Sequence, residues 1–521
     1  MPGPTVASSH RYILTLGLMI LATVIVRTAW VSDDAYLTFR TIDNFVNGFG
    51  PRWNVADRVQ AYTDPLWMFA LSGVYFVTRE IFFTSIAVSF VLSMWAAWLI
   101  ARRIAADDVA GLLAVAILTC SRAFVDYSTS GLENPLTALL LVVFYGAWLR
   151  QPVTRRSLTA QCLMAALIAL NRMDAILLVV PALVATGYRL GNVRASIRAA
   201  MVGFSPFAAW EVFSLLYYGF LFPNTAYAKL GAGIERGESL RQGALYFFNS
   251  IANDPLTLVI CGTALVAALA TSRALRPIAY GILLSMVYIL SIGGDFMSGR
   301  LFAAPLVASV VILARLGASA LGDRWPLAFA AVIGLGISAK YPSFTSDASF
   351  GLNRQDIVDR TGISDERAYY YQTAGLLLAS RDRPLPDSHY TKAGRQLRDQ
   401  LQNQPPKVVV DQHAGYYGFA AGPNLHLVDP YALGEPLLAR LPAERPWRIG
   451  HFKREMPDGY LETLQSGQNQ IKDISLRMYY DKLALITRAP LFAPHRLSTI
   501  LKMNLGEYNG LIKTYLASKP G

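Results

Sequence analysis

YILTLGLMILATVIVRTAWV, residues 12–31, runs directly into Ser32-Asp33-Asp34-Ala35-Tyr36, and this junction decides how the chain is read. The first stretch has the roughly 20 apolar residues needed to cross a bilayer, with Arg27 near its outer end. The second places two adjacent carboxylates at the membrane exit. A like-charged neighbour and partial desolvation both push a carboxylate pKa upward. Such a pair can supply a base or a nucleophile facing the headgroup layer. The plainer alternative is that Asp33 and Asp34 end a helix and mark the water boundary.

The composition extends the membrane reading to the whole chain. The 521 residues are 53% hydrophobic and only 16% charged, against about 25% charged in ordinary soluble proteins. Mean hydropathy is +0.34. Several apolar runs reach spanning length, and backbone groups in lipid must be satisfied internally, so the runs are helices. The 12–31 run lacks a small-residue cleavage site, so no cleavable signal is expected. The net charge of +12 lies largely in short loops between apolar runs. That pattern fits topology and anionic lipid rather than nucleic acid. Cys120, Cys162 and Cys261 fall in or beside apolar spans, which excludes a disulfide framework or a CxxC zinc site.

Basic loops then predict the topology. Arg11 puts the N-terminus in the cytoplasm, and residues 32–80 form a long first external loop in which 66–78 lie at the interface. Spans follow at 81–101, 107–124, 134–149, 157–171, 175–188, 199–219, 255–271, 277–293, 301–316 and 325–340. With the first, this makes about eleven spans in a transmembrane catalytic domain, residues 1–341. Arg40, Arg52, Arg58, Arg79, Arg122, Lys229, Arg236, Arg241 and Arg300 all land outside, against the positive-inside rule, which suggests that they have work there. From 342 to 521 the spanning runs stop, and five of the six histidines lie in this part. Residues 407–411 and 425–429 read as buried strands between helices at 364–380 and 388–402. The expectation is a polytopic α-helical membrane protein with a C-terminal soluble α/β domain at the periplasmic face of a bacterial inner membrane.

On this topology each outward turn carries a polar cluster. They are Asp33-Asp34; Asp126-Tyr127 through Glu133-Asn134-Pro135; Asn171-Arg172-Met173-Asp174; Pro223 through Tyr227 and Lys229; and Gly293-Gly294-Asp295 through Arg300. Asp64 adds a further acid in the first loop. Five clusters on one side imply a polar cavity at the outer face. Each has a plainer reading. Glu133 suits a helix start, Arg172 and Asp174 a structural ion pair, the glycine pair a helix stop, and Lys229 a snorkelling lysine. Lys229 and Arg300 suit neutralising charge that develops on a leaving phosphate. The carboxylates suit deprotonating a sugar hydroxyl or meeting a cationic sugar carbon. Together they point to glycosyl transfer from a lipid-phosphate sugar. Asp33 and Asp34 could hold Mg²⁺, Mn²⁺ or Ca²⁺, though a monophosphate donor does not demand a metal. In the outer domain, His413, His451 and Lys453 are the polar residues placed to face the cavity. Tyr416, Tyr417 and Trp447 could stack on sugar rings or pack in a core.

At these residues the chain resembles a known family. An acidic pair in a long first external loop, followed by interfacial helices, is similar to the GT-C class of polyprenyl-phosphate-sugar-dependent glycosyltransferases. The ordered motifs SDDAYLTFRTIDNFVNGFG, TSGLENPL, NRMDA, YYGFLFPNTAYAKL, GGDFMSGRLFAAPL, TGISDERAYY, LVDPYALGEPLLARL and RIGHFKREMPDGY resemble the terminal β-(1→2)-arabinofuranosyltransferases, which use decaprenyl-phosphate arabinofuranose. The resemblance implies a catalytic carboxylate at Asp33 or Asp34. It implies a donor pocket lined by Lys229, Asp295 and Arg300, with Arg172 and Tyr227 beside them. It also implies an outer domain resembling a carbohydrate-binding module over the acceptor groove. The first loop reads Ala61-Tyr62-Thr63-Asp64-Pro65-Leu66-Trp67, which leaves arabinan, glycoprotein and lipopolysaccharide acceptors open. One carboxylate could act as base in a single displacement or as nucleophile in a double one. The alternative from another class is a transporter or flippase of lipid-linked sugar, which would suit the broken helix pair at 157–188.

Overall fold

A computed structural model describes residues 4–150, 152–318, 321–345 and 357–519, with side chains in the first helix described from Tyr12 on. The chain divides into two compact units. One comprises Met1–Ser32, Glu80–Phe207 and Arg236–Leu385; the other comprises Asp33–Arg79, Ala208–Glu235 and Pro386–Gly521. The units cut the chain elsewhere than the composition change at 342 does. The first external loop goes with the second unit, and residues 342–385 go with the first.

Helices occupy all eleven expected places. The first runs from Pro4 to Arg27, four residues short of the predicted end. The reason is local pairing: Val31 N donates to Ala374 O and Leu376 N to Ala29 O, so the chain after Arg27 is drawn out to pair. The same pairing breaks the helix predicted at 364–380, which is seen as Glu366–Ala374 and a short turn at Leu376–Leu378. Among the described residues, two helices, Phe82–Ile104 and Met173–Leu190, are long and apolar enough to cross a membrane. The number rises to four if the bent pairs Val193–Gly203 with Ser205–Tyr217 (51°) and Arg236–Asn253 with Pro255–Thr271 (109°) each count as one span. Fully buried Leu21, Ile25, Leu118, Leu141, Leu178, Leu306 and Val310 form the core of this first unit. Gly281 lets two of its helices approach closely: a Cβ there would lie 2.0 Å from Leu178 O. Large apolar side chains such as Trp95, Val184 and Val266 stay exposed, as a lipid-facing surface requires.

The second unit holds the sheet. Strand β1, Lys407–Val410, runs parallel to β2, Leu425–Val428, in the register Lys407 to Leu425 and Val410 to Val428. Both strands fall where the sequence puts them. Every residue of β2 is buried, and Leu425 and Leu427 pack with Leu37, Trp53, Leu397 and Ala421. A second cluster, with Val428, Leu437, Tyr460, Leu476, Leu483 and Ile486, fills the opposite side. Buried arginines bind the irregular segments together. Arg40 donates to the carbonyls of Trp53, Gly418 and Leu425. Arg496 donates to those of Leu216, Tyr217 and Ile486. Each guanidinium so placed satisfies carbonyls that loops would otherwise bury unpaired.

Candidate active site

The second unit gathers acids where its two strands end. A parallel sheet leaves its crevice at the carboxyl ends of the strands, and there β1 passes into Asp411-Gln412-His413 and β2 into Asp429-Pro430-Tyr431. Asp33, just before the helix Ala35–Val46, reaches the same place: its Oδ1 accepts the amide of Tyr416 at 2.7 Å. Gly415 permits this approach, since a Cβ there would lie 2.0 Å from Asp33 O and 2.6 Å from Asp33 Cγ. Burial raises the Asp33 carboxyl to about 6, with Asp34 adding to the rise, while the Tyr416 amide and His413 oppose it.

Asp429, with no exposed surface, lies within electrostatic reach of Asp34. Its two oxygens accept the amides of Tyr431 at 2.8 Å and Leu433 at 2.9 Å. Burial pushes its carboxyl to about 7, because two amides only partly replace the lost water. Asp411 holds His413 by two bonds, from the His413 amide at 2.8 Å and to Nδ1 at 3.1 Å, which keeps the Asp411 carboxyl below its ordinary range. The Tyr431 hydroxyl donates to Gln412 Oε1 at 2.9 Å, and its ring meets His451 edge to face at 5.0 Å.

Lys229 and Tyr227 sit on the short helix Asn224–Leu230. Asn224 fixes that helix through Gln60 O and Ala432 O. Buried Arg454 ties it to the acid cluster: one guanidinium nitrogen donates to Ala228 O, next to Lys229, and its backbone amide donates to Pro430 O, next to Asp429. Among the described residues no carboxylate lies within ion-pair distance of Lys229. Its neighbours Leu230 and Phe222 are 77% and 50% exposed. A cation without a counter-ion beside exposed apolar side chains matches the chemistry of a lipid phosphate.

In the first unit, Glu133, Arg172, Asp174, Asp295 and Arg300 converge as well. Arg300 donates to both oxygens of Glu133 at 3.1 Å and pairs with Asp295 at 3.5 Å. Arg172 reaches Glu133 at 3.1 Å and Asp174 at 3.0 Å. The helix break supplies the geometry, because extended backbone at Arg172 turns its side chain back while Asn171 donates to Glu133 O and Thr137 Oγ1. The glycine pair supplies the rest. Gly294 has φ +72°, and a Cβ there would lie 2.4 Å from the ring of Tyr246, whose hydroxyl donates to Met297 O and accepts from Leu301 N. Beside Asn134 an open crevice with about 300 Å³ of empty space is lined by Ser93, Phe124, Tyr127 and Ala303.

No family model matches the chain. Among curated proteins it is similar to a terminal β-(1→2)-arabinofuranosyltransferase of Mycobacterium tuberculosis, 26% identical across 82% of this chain and 81% of that one. It is also similar to the protein of the same name from Corynebacterium glutamicum, 27% identical across 57% of this chain and 49% of that one. In sequence this chain is thus similar to terminal β-(1→2)-arabinofuranosyltransferases, as its motifs lead one to expect. The expectation of a glycosyltransferase is thereby borne out. Solved structures similar to it include the archaeal oligosaccharyltransferase AglB from Archaeoglobus fulgidus, in complex with an inhibitory peptide and a dolichol-phosphate. That match has a TM-score of 0.49 and 12% identity, over 83% of this chain and 65% of that one. ArnT from Cupriavidus metallidurans, bound to undecaprenyl phosphate, has a TM-score of 0.49 and 14% identity, over 81% and 86%.

Not every predicted residue joins a cluster. Lys453 spends its charge in an exposed pair with Glu444 at 3.1 Å. Asp64 accepts from Thr38 Oγ1 at 3.2 Å, one turn along the helix from Asp34. Among the described residues no group of three or more His, Cys, Asp or Glu is arranged to hold a metal ion, and two neighbouring carboxylates alone fall short of the oxygen shell that Ca²⁺ takes. The sequence reading passed over Asp429 and Arg454 as site residues. The signal for Asp429 is its place directly after an apolar strand. For Arg454 there is none, since an arginine held by carbonyls has no acidic partner at a fixed spacing.

Proposed function

We propose that this relative of the arabinofuranosyltransferases is a multi-pass membrane enzyme of GT-C type. It would transfer a pentofuranose, D-arabinofuranose by its relatives' names, from a polyprenyl-phosphate donor to a glycan or glycoprotein acceptor. The reading keeps about eleven spans, the N-terminus in the cytoplasm, and residues 342–521 at the periplasmic face. The observation that carries it is Asp33: a carboxylate raised to about 6, yet held in place by the Tyr416 amide, is ionised at neutral pH and basic enough to take a hydroxyl proton.

In this reading Asp33 removes the proton of the acceptor hydroxyl as that oxygen attacks the anomeric carbon. The bond from that carbon to the phosphate oxygen breaks, and the polyprenyl phosphate departs with the electron pair. Burial and the neighbouring Asp34 keep Asp33 basic. In the second unit Lys229 meets phosphate charge, with Tyr227 beside it; in the first, the reading gives that task to Arg172 and Arg300, held by Glu133, Asp174 and Asp295. His413 and His451 face the acceptor.

The test is transfer of labelled arabinofuranose from a polyprenyl-phosphate donor to an arabinan oligosaccharide by the full chain in lipid nanodiscs. Transfer by the wild type, lost in Asp33→Asn with donor binding kept, supports the reading. Absence of transfer to glycan, glycopeptide or lipopolysaccharide acceptors, together with movement of the donor across vesicles, would establish the flippase instead.

A further inference from the structure

Near its carboxyl end the second unit lays a short helix, Arg496–Asn504, across the end of an expected span. The helix has two faces. Arg496, Thr499, Ile500 and Met503, three and four residues apart, are buried. Leu497, Leu501 and, just past the helix end, Leu505 recur every fourth residue and are exposed, Leu505 to 78%. Ahead of them Phe492, between Pro490 and Pro494, is 96% exposed. The buried face fixes where the helix lies. Arg496 donates to the carbonyls of Leu216 at 2.7 Å and Tyr217 at 2.9 Å, and Asn504 to that of Gly219 at 2.8 Å. Leu216 and Tyr217 end the helix Ser205–Tyr217, and the last carbonyls of a helix have no partner within it. Gly219, at φ +87°, permits the approach, since a Cβ there would lie 2.1 Å from Ile486 and 3.4 Å from Ile500.

We propose that Phe492 and the row Leu497, Leu501 and Leu505 sit in lipid, in the leaflet at the Tyr217 end of the span, as an interfacial anchor of the second unit. The inference rests on the reading of 199–219 as a span and goes beyond the sugar-transfer reading, in which none of these residues takes part. Two observations select lipid as the occupant. The first is continuity. Ser205–Tyr217 is the outer half of a bent pair that passes as one span, and it exposes Val212 and Leu216, with Leu221 and Phe222 exposed just after it. Its Trp210, Phe213 and Tyr217 touch ring to ring, the kind of aromatic group that marks a membrane–water boundary. A helix bonded to the end of such a span lies at headgroup level, and an apolar face there reaches about 5–10 Å into the acyl boundary. The second is charge. Lys502 flanks the leucine row, and its exposed 3.4 Å pair with Glu507 is weak enough to give way to a lipid phosphate.

Fluorescence quenching in the full chain, one copy per nanodisc, tests this. Phe492→Cys, Leu497→Cys, Leu501→Cys and Leu505→Cys are each labelled with an environment-sensitive maleimide dye. The wild type, whose Cys120, Cys162 and Cys261 are buried, gives the background. Val212→Cys is the lipid reference and exposed Gln468→Cys the water reference. A nitroxide carried on the lipid chain should quench the four anchor labels about twofold or more better than aqueous iodide does, as at Val212→Cys, with the reverse at Gln468→Cys. Iodide quenching of the anchor labels, with lipid quenching kept at Val212→Cys, would overturn the inference and leave the span standing. Protection from both quenchers would overturn it too, by showing that protein covers the row. A Val212→Cys label beyond reach of the lipid nitroxide would remove the span and the inference with it, with no bearing on sugar transfer, which the labelled-donor assay decides separately.

Discussion

In the first unit the guanidiniums of buried Arg122 and Arg367 and of partly buried Arg172 and Arg300 face carboxylates, whereas in the second those of buried Arg40, Arg58, Arg454 and Arg496 face main-chain carbonyls. The first set pairs with Glu133, Asp126, Asp174, Asp295 and Asp365. The second set closes loops, as Arg58 does on Tyr217, Ile486 and Ala489 and Arg454 on Leu441, Phe452 and Ala228. In the second unit Asp33 and Asp429 are likewise held by backbone amides, although Asp57 there pairs with Arg488 at 2.6 Å. Charges that hold each other are nearly neutral as a group and can exchange a partner for an anionic ligand. Charges held by the main chain have no such partner to exchange. The second arrangement suits a residue that must act as a base, and the first suits one that must release and rebind a phosphate.

The largest expected effect is on catalysis. Asp33→Asn keeps an acceptor for the Tyr416 amide but abolishes the base, so kcat should fall about 10²–10⁴-fold; initial rates in nanodiscs measure it. Next is the mutually paired network. Glu133→Gln removes the carboxylate that Arg172 and Arg300 share, leaving each with one acidic partner, Asp174 and Asp295, and should cost about 1–3 kcal/mol of stability, read as a lowered midpoint in a thermal unfolding assay in detergent. Adding Arg300→Met should recover part of that loss. A double variant no better than the single would show that the first unit does not depend on charge pairing. For the carbonyl-held set the opposite holds: Arg454→Met should cost about 2–3 kcal/mol, and no second substitution of an acid should restore it.

A smaller effect separates the units by pH. Asp33 and Asp429 have folded pKa values, about 6 and about 7, above the ordinary value of 3.8. The folded state therefore binds protons more tightly than the unfolded state between about pH 4 and 7, and their contribution to stability falls as pH rises through that window. Asp429→Asn should flatten the decline of the unfolding midpoint over this range. The smallest effect belongs to Lys453→Ala, which removes an exposed pair and should change stability by about 0–1 kcal/mol and transfer hardly at all.

Much of this was legible before any coordinates. Helix positions follow from apolar runs, and β1 and β2 from short runs of Val and Leu. Glu133, Arg172 and Arg300 stand out singly in the sequence because spanning helices leave few places for charge; that they pair with one another is set by tertiary contact. Other features depend on tertiary contact. The helix end at Arg27 is set by pairing with Ala374–Leu376, a partner that local pattern cannot reveal. The break of Val193–Tyr217 at Phe204 is flanked by Gly203 and Pro206, signals of a helix stop and restart that lie inside the span expected at 199–219. Asp429 reads as the end of a strand, and only its burial beside Asp34, a tertiary feature, gives it a chemical role.

One bond described above reaches beyond catalysis. The Tyr416 amide that grips Asp33 lies 383 residues farther along the chain. At about 5–20 residues per second, the ribosome needs roughly 20–80 s to make the second after the first. Until then the first-loop aspartate has no such anchor, and its surroundings are completed only when the last quarter of the polypeptide is being delivered.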